Sequence, residues 1–182
     1  RMYSKILPFI YKEIVFQVKH LMKKDLTLSE KILYLRGRPK VLLTTNYEAA
    51  KKLMNKYEKN IIGIISDVRF PRKNILDKNA GIKFSKWVLK KDPSMPIVLQ
   101  SNEIENKKIA EQLKIGFLNK SSDTFFKDLR YYIAKNFGFG NFNFLSPDGK
   151  RLKSATNIKQ FIEGIETVPI ESIIFHAKSH HF

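Results

Sequence analysis

The amino-acid sequence predicts an α/β fold, in which a doubly wound parallel sheet forms the main domain and a small α+β extension follows it. Short apolar runs without strict alternation are typical of strands buried on both faces. Here they alternate with segments whose apolar residues recur three and four apart, as in amphipathic helices. The length of 182 residues and the 43% hydrophobic content allow one ordinary core and an appendage. The predicted domains are residues 1–137 and 138–182.

The predicted elements of the main domain begin with a long helix and then alternate between strands and helices. Helical spacing extends over residues 3–22, and a disturbance is expected near Pro8 because proline removes a backbone donor. The pattern then predicts strand 41–46, helix 47–57, strand 60–68, a looser stretch 69–81, helix 82–92, strand 95–102, helix 103–114, strand 115–122 and helix 123–140. This order predicts a parallel sheet with helices on both faces.

The extension is predicted to form a β-hairpin over residues 142–155, with its turn at 147–149, and helices at 157–168 and 170–182. About 45 residues without a disulfide or a metal rarely bury enough apolar surface to fold alone. We therefore expect the extension to pack on other parts of the chain through Phe142, Phe144, Ile158, Phe161 and Ile162. The aromatic cluster of Phe137, Phe139, Phe142 and Phe144 is interpreted as packing, with base stacking as the alternative.

The composition excludes some classes of protein. The chain has no cysteine, which excludes disulfides and thiolate metal sites. No run approaches the roughly 20 apolar residues of a membrane span, so the chain is predicted to be soluble and cytoplasmic. The formal charge of +17 favours anionic partners such as nucleic acid. Because the lysines are spread along the chain, we interpret the charge as a diffuse surface and keep non-specific nucleic-acid binding as a third function hypothesis.

Polar residues follow three of the predicted strands. Asp67, Ser101 and Lys120 stand at the carboxyl ends, where open α/β sheets carry their working residues. Together they can hold a phosphoryl group, with the carboxylate as nucleophile, the hydroxyl as a donor and the ammonium neutralising an oxygen. Taken singly, each residue also fits a solvated loop, so the hypothesis depends on their coming together.

These residues, in this order, resemble the receiver domain of two-component response regulators over about residues 1–137. The motifs are Asp-x-x-Phe-Pro from Asp67, apolar-Gln-Ser ending at Ser101, and Phe-x-x-Lys from Phe117 to Lys120. The resemblance implies a flavodoxin-like fold in which Asp67 is the phosphoacceptor, Ser101 the switch hydroxyl and Lys120 the family's lysine. By the same resemblance, Phe117 is the aromatic switch residue.

The receiver resemblance also implies a cofactor and partners. Magnesium is expected, held by Asp67, the backbone carbonyl of Arg69 and an acidic pair. A histidine kinase or phosphotransfer protein is the implied donor, and a second copy of the chain is a further candidate partner. The family's glycine after the proline comes only at Gly81, so residues 72–79 look like an insertion beside the site.

The acidic pair is expected outside the chain. Receivers have the sheet order 2-1-3-4-5, and the end of the central first strand supplies the acids. Here a single helix separates strand 41–46 from the strand of Asp67, so 41–46 counts as the second strand. The first strand and its acids are therefore expected upstream of Arg1, and without them Asp67 is expected to take up little phosphate. Two acids, Asp25 and Glu30, cannot replace them because both follow the first helix.

A missing first strand leaves a slot in the predicted sheet. Backbone groups at an open strand edge tend to pair with another segment. We expect the slot to be filled by another segment or a neighbouring chain, or else to be closed by direct pairing of residues 41–46 with 61–66.

A longer resemblance extends over the whole chain. Segments 38–50, 63–73, 80–84, 99–106, 136–149 and 168–182 are similar to the region ahead of the catalytic domains in bacterial proteins related to phosphoenolpyruvate synthase and pyruvate phosphate dikinase. Neither a phosphohistidine loop nor a nucleotide-binding glycine loop is present, so this chain is not predicted to be an enzyme. The catalytic domains of such a parent protein are candidate partners.

The sequence thus predicts a receiver-like regulatory phosphoacceptor module, with a degenerate receiver that acts as an interaction scaffold as the alternative. The C-terminal segment carries a further pattern. His176 and His180 share a helix face and His181 follows, so metal binding is conceivable. No carboxylate nearby completes a site, which favours an ordinary packed pair.

Overall fold

The structure is a computed structural model that describes residues 3–21, 27–29, 31–32, 39–137, 142–155 and 158–179. The helices are α1 (Tyr3–Leu21), α2 (Tyr47–Tyr57), α3 (Ala80–Lys91), α4 (Asn106–Gln112), α5 (Phe125–Asn136), α6 (Ile158–Thr167) and α7 (Ile170–Lys178). The strands are β1 (Ile64–Asp67), β2 (Phe70–Arg72), β3 (Ile75–Asp77), β4 (Ile97–Ser101), β5 (Gly116–Asn119), β6 (Phe142–Leu145) and β7 (Arg151–Ala155). A short 3₁₀ turn, Glu58–Asn60, follows α2.

The centre of the main domain is a parallel sheet with the order β1-β4-β5. Ile64 lies beside Ile97, and Val98 lies beside Gly116, so the three parallel strands pair in a continuous register. All five residues of β4 are buried. Burial on both faces explains why this strand shows no alternation in sequence, and it confirms the predicted mixed α/β class.

One face of the sheet is covered by α1 and α5. Their buried side chains pack with Val98 and Leu118 of the sheet in one cluster, formed by Ile6, Ile10, Ile14, Val18, Phe125, Leu129 and Ile133. Helix α1 continues through Pro8, whose side chain is exposed. Proline lacks the N–H that would donate to the carbonyl four residues earlier, here that of Ser4, so α1 loses one hydrogen bond in its second turn but continues.

The opposite face is covered by α2, α3 and α4. Met54 of α2 and Phe84 and Val88 of α3 pack with Ile97. Ala110 of α4 packs with Leu99 and Val68. The sheet lies between two layers of helices, as predicted. Because side chains alternate along β4, Val98 packs against α1 and α5, whereas Ile97 and Leu99 pack against α2, α3 and α4.

The predicted strand 41–46 is wrong, and so is its predicted pairing with residues 61–66. Residues 39–44 adopt no regular secondary structure, and within the described residues β1 pairs only with β4. Val41 packs on the α1–α5 cluster, while Leu42 and Leu43 are 50% and 54% exposed. A strand needs a neighbour for its backbone groups, and no described segment provides one here.

The looser stretch at 69–81 contains a β-hairpin that the sequence analysis missed. Strands β2 and β3 pair antiparallel, and the turn residues Lys73 and Asn74 have φ of 53° and 62°. Two left-handed residues in a two-residue turn are typical of a type I′ hairpin, whose strongest signal, Asn-Gly, is missing here. The Glu48 carboxylate accepts the Lys73 N–H at 3.1 Å, which ties the turn to α2.

The extension has a small aromatic core of its own. The rings of Phe144 and Phe161 stack with centroids 5.6 Å apart, and Phe142 lies edge-on to Phe161 at 4.9 Å. His176 is buried, and its Nε2 accepts the Leu145 N–H at 2.7 Å. The predicted role of Ile162 in packing is wrong because its side chain is 51% exposed. The side chain of Ile158, and all of Phe139, lie outside the described residues, and docking of the extension on the main domain stays a prediction.

The C-terminal end of α4 gives a first test. Lys114 has φ of 56°, its N–H donates to Glu111 O, and the Ile115 N–H donates to Ala110 O. This pair of bonds ends a helix around a left-handed residue, which is usually glycine. We predict that Lys114→Gly raises the free energy of unfolding by about 1 kcal/mol, because glycine adopts positive φ without strain.

Chemical denaturation measures the effect, and Lys108→Gly inside α4 is the matched control. It replaces an exposed lysine of the same helix and should lower stability by about 1 kcal/mol. Equal losses in the two variants would contradict the cap.

A second test uses the buried phenol of Tyr132. Its hydroxyl donates to Ile97 O at 2.7 Å. Burial raises the pKa of Tyr132 from 10.0 to about 12, although a hydrogen bond with the Gly116 backbone acts in the opposite direction. The neutral phenol is favoured in the folded state, so its contribution to stability is complete below the unfolded pKa and is lost as the pH rises through the folded pKa.

We therefore predict that the free energy of unfolding of the natural chain falls more steeply between pH 10 and pH 12 than that of Tyr132→Phe. At pH 8 the variant should be about 1 kcal/mol less stable, since it lacks the hydrogen bond. Tyr131→Phe, at a neighbouring side chain that is 66% exposed, serves as the control and should follow the natural chain. Parallel pH profiles for Tyr132→Phe and the natural chain would refute the assignment.

Candidate functional site

The alternation of side chains along the strands brings three polar residues onto one face. Ile65, Val98 and Leu118 contact the α1–α5 cluster. Residues two positions further along each strand point to the same face. In β1 and β4 these residues are Asp67 and Gln100, and Lys120, directly after the end of β5, reaches the same face through its ion pair with Asp67. The sheet therefore collects a carboxylate, an amide and an ammonium at its carboxyl edge.

Asp67 and Lys120 form an ion pair at this edge. Lys120 Nζ lies 2.5 Å from Asp67 Oδ1, and the two side chains are 18% and 14% exposed. Backbone hydrogen bonds hold both residues in register: Lys120 N–H donates to Ser101 O at 2.9 Å, and Val68 N–H donates to Gln100 O at 3.2 Å. Removing one partner of a partly buried ion pair leaves the other charge uncompensated, so replacing either Asp67 or Lys120 should destabilise the fold.

The backbone of Asp67 also depends on Gly81. The Gly81 N–H donates to Val68 O at 2.9 Å. A Cβ atom at position 81 would overlap the carbonyl oxygen of Asp67. Only glycine allows the start of α3 to approach so closely. The hairpin β2–β3 lengthens the chain before this glycine, and the contact with the site is still made.

Ser101 lies at the same edge, and it is almost fully buried. Its Oγ accepts hydrogen bonds from the Glu103 N–H and from Asn106 Nδ2, both at 3.1 Å. These two donors leave the hydroxyl hydrogen to donate to a group in the site. The sequence analysis missed Asn106, whose position after a loop carries no motif.

A cavity of about 150 Å³ opens between these residues, and Arg69 and Glu103 form part of its wall. The guanidinium of Arg69 forms an ion pair with Glu103, and both side chains are about half exposed. Phe117, the predicted switch aromatic, is partly buried against the cluster that contains Val68 and Leu99. The full lining consists of Asp67, Val68, Arg69, Gln100, Ser101, Asn102, Glu103 and Lys120.

Gln100 is the functional candidate that the motif analysis passed over. Its side chain is 4% exposed, and within the described residues its Oε1 has no hydrogen-bond partner. A buried acceptor without a donor costs about 1–3 kcal/mol. Gln100 lies directly beside Asp67 in the sheet register. An orphaned oxygen next to a carboxylate fits a cation or a cation-bound water.

The cavity offers magnesium only part of a ligand set. In the described part of the chain, no group of three or more His, Cys, Asp or Glu side chains is placed to hold a metal ion. The cavity nevertheless offers oxygen donors of the kind Mg²⁺ takes, the Asp67 carboxylate and the Gln100 amide oxygen, and Mg²⁺ commonly keeps several waters. Asp25 and Glu30, which the sequence analysis set aside as ligands, lie outside the described residues.

The C-terminal histidines do not join this site in the described structure. His176 is buried in the extension, where it accepts a backbone N–H and contacts Phe142 with ring centroids 4.9 Å apart. These contacts agree with the packing interpretation of His176. His180 and His181 lie outside the described residues.

No family model, curated protein or solved structure matches this sequence. Among the described residues, no helix has the length and apolar character that crossing a membrane requires. The comparisons therefore add nothing to the functional interpretation.

The close approach of Gly81 gives a third test. We predict that Gly81→Ala lowers the free energy of unfolding by about 1–3 kcal/mol, because either α3 or the Asp67 backbone must move. Amide resonances of Asp67 and Val68 should shift in the ¹H–¹⁵N correlation spectrum. Gly149→Ala is the control, since no atom lies within 4 Å of its added Cβ and only its φ of 84° disfavours alanine. A smaller effect at Gly81 than at Gly149 would exclude the predicted clash.

Proposed function

We propose that the chain is a receiver-like regulatory module that accepts a phosphoryl group on Asp67, with a flavodoxin-like fold. The observation that carries the proposal is the ion pair of Asp67 and Lys120 at the carboxyl edge of a parallel sheet, beside a cavity of about 150 Å³. A carboxylate nucleophile there is accessible from one side and has a cation next to it. A phosphoenolpyruvate-synthase-type parent protein is part of this proposal, and the resemblance over segments 38–50 and 168–182 supports it.

Each residue of the site has a role in the proposed transfer. An Asp67 carboxylate oxygen attacks the phosphorus of a phosphohistidine or a small phosphodonor. As the new O–P bond forms, the bond from phosphorus to the donor breaks and the leaving group takes up a proton. Lys120 then faces an acyl phosphate with more negative charge than the carboxylate had. Its ammonium neutralises part of that charge as a compact point charge. Mg²⁺, when bound, supplies further neutralisation of the phosphoryl oxygens.

The proposed response begins at Ser101. Its hydroxyl hydrogen donates to a phosphoryl oxygen while its Oγ still accepts from the Glu103 N–H and Asn106 Nδ2, so a shift of the hydroxyl toward the phosphoryl group moves both donors with it. Asn106 begins α4, so a change at Ser101 reaches that helix directly. Phe117 packs in the same cluster as Ala110 of α4 and follows its movement. A local electrostatic event can thus bias the packing of a whole surface.

A second candidate function, the interaction scaffold, is favoured by the hairpin. Its turn is tied to α2, yet Ile75 and Leu76 are 73% and 64% exposed. Adjacent exposed aliphatic side chains on a hairpin whose turn is hydrogen-bonded to a helix are typical of a protein contact surface. The scaffold and the phosphoacceptor differ in whether Asp67 reacts.

The experiment that separates the two functions is phosphoryl transfer from acetyl phosphate with MgCl₂, followed by intact mass spectrometry. We predict that a minor fraction of the natural chain gains one phosphoryl group that hydroxylamine removes, as expected for an acyl phosphate. Uptake should be partial because, among the described residues, no group of three or more acidic or histidine side chains is placed to hold Mg²⁺. Asp67→Asn should abolish the gain because the amide is not a nucleophile. Asp77→Asn is the matched control, since Asp77 also pairs with a lysine, Lys83, at 2.8 Å. No uptake by the natural chain, or equal uptake by Asp67→Asn, would favour the scaffold.

A further inference from the structure

Gln100 has no role in the proposed transfer, and its placement is unusual. The side chain leaves β4 on the face of Asp67 and Lys120, and the residue lines their cavity. Its Oε1 is buried with no donor among the described residues. A leucine would fill the same space without an unsatisfied oxygen, so the amide destabilises the empty domain. An amide is expected at such a place when a ligand in the cavity completes its hydrogen bonding.

The charges around the cavity indicate which ligand. Two carboxylates, Asp67 and Glu103, face two cations, Lys120 and Arg69, in pairs. An unprotonated anion would offer the Gln100 oxygen no hydrogen to accept, and in this structure each cation of the cavity already has a carboxylate partner. A hydrated divalent cation offers both a positive charge and bound-water donors. It must displace the Lys120 ammonium from Asp67, so lysine and metal compete for the same carboxylate.

We propose that Gln100 Oε1 and the Asp67 carboxylate together hold a hydrated Mg²⁺ ion in this cavity, with Lys120 as its competitor. The amide oxygen provides, without charge, part of the coordination that a second acid would otherwise provide. The inference builds on the phosphoacceptor proposal, but it is tested by metal binding alone, so the two can fail separately.

The test is thermal unfolding of the full chain against MgCl₂, with NaCl added to constant ionic strength and with calorimetric titration of MgCl₂ as a second measurement. Gln100→Leu should unfold at a higher temperature than the natural chain without metal, because the orphaned oxygen is gone. Its affinity for Mg²⁺ should be about tenfold weaker, the size of effect that loss of a supporting ligand produces. Lys120→Met should bind Mg²⁺ more tightly than the natural chain, since the competing cation is removed.

Ser172→Ala is the matched control. Ser172 is fully buried in α7, and its Oγ also lacks a partner within the described residues. The variant should gain stability as Gln100→Leu does, but it should leave the response to MgCl₂ unchanged. Gln100→Met, which keeps the volume, guards against a packing defect in the leucine variant and should weaken Mg²⁺ binding in the same way.

Several outcomes would overturn the proposal. The first is a natural chain whose unfolding temperature does not respond to MgCl₂, and the second is a Gln100→Leu variant with full Mg²⁺ affinity. A third is a Gln100-dependent response to potassium phosphate without magnesium, which would assign the amide to an anion. If Gln100→Leu binds Mg²⁺ normally while Asp67 still takes up a phosphoryl group, this inference falls and the phosphoacceptor proposal stands. If Mg²⁺ binding depends on Gln100 but Asp67 takes up no phosphoryl group, the reverse holds.

Discussion

Side chains two residues apart in a strand share a face, and this constraint joins the core of the domain to its candidate site. Ile65, Val98 and Leu118 are packed by α1 and α5. Any slip of a strand by one residue would turn these side chains away from the helices and carry Asp67 or Lys120 to the other face. The register that buries the core is therefore the register that places the ion pair. Stability and site geometry have the same physical origin here.

Charge is balanced within the site although the chain as a whole carries +17. Asp67 pairs with Lys120, and Glu103 pairs with Arg69 at the rim. Partly buried charges are tolerated only with partners, so the acids of the site are matched by cations while most lysines remain on the surface. The amide oxygen of Gln100, which also lines the cavity, is buried without a hydrogen-bond partner among the described residues, and because it is neutral this costs less than leaving a charge without a partner.

Particular residues show how far the sequence analysis reached. Asp67, Ser101 and Lys120 could be predicted to meet because each follows a buried apolar run, and parallel strands bring their carboxyl ends together. Gln100 could not be distinguished, because a polar residue inside an apolar run looks the same whether its amide is satisfied or orphaned. The hairpin at Lys73 and Asn74 was missed because its turn lacks the usual Asn-Gly signal. Residues 41–46 were taken for a strand because an apolar run indicates burial, whereas a strand also requires a partner.

The sequence by itself determined the alternation of the three parallel strands with helices, the burial of both faces of the sheet, and the chemical types that gather at its carboxyl edge, but not the absence of a strand at 41–46 or the presence of the hairpin β2–β3. These properties follow from the spacing of apolar residues along the chain and from the hydrophobicity of each side chain. Only the tertiary structure decided the contacts between distant segments. They include the approach of Gly81 to the Asp67 backbone, the Arg69–Glu103 pair and the isolation of the Gln100 oxygen. Each depends on distances of a few ångströms between residues far apart in the chain, and no local pattern carries that information.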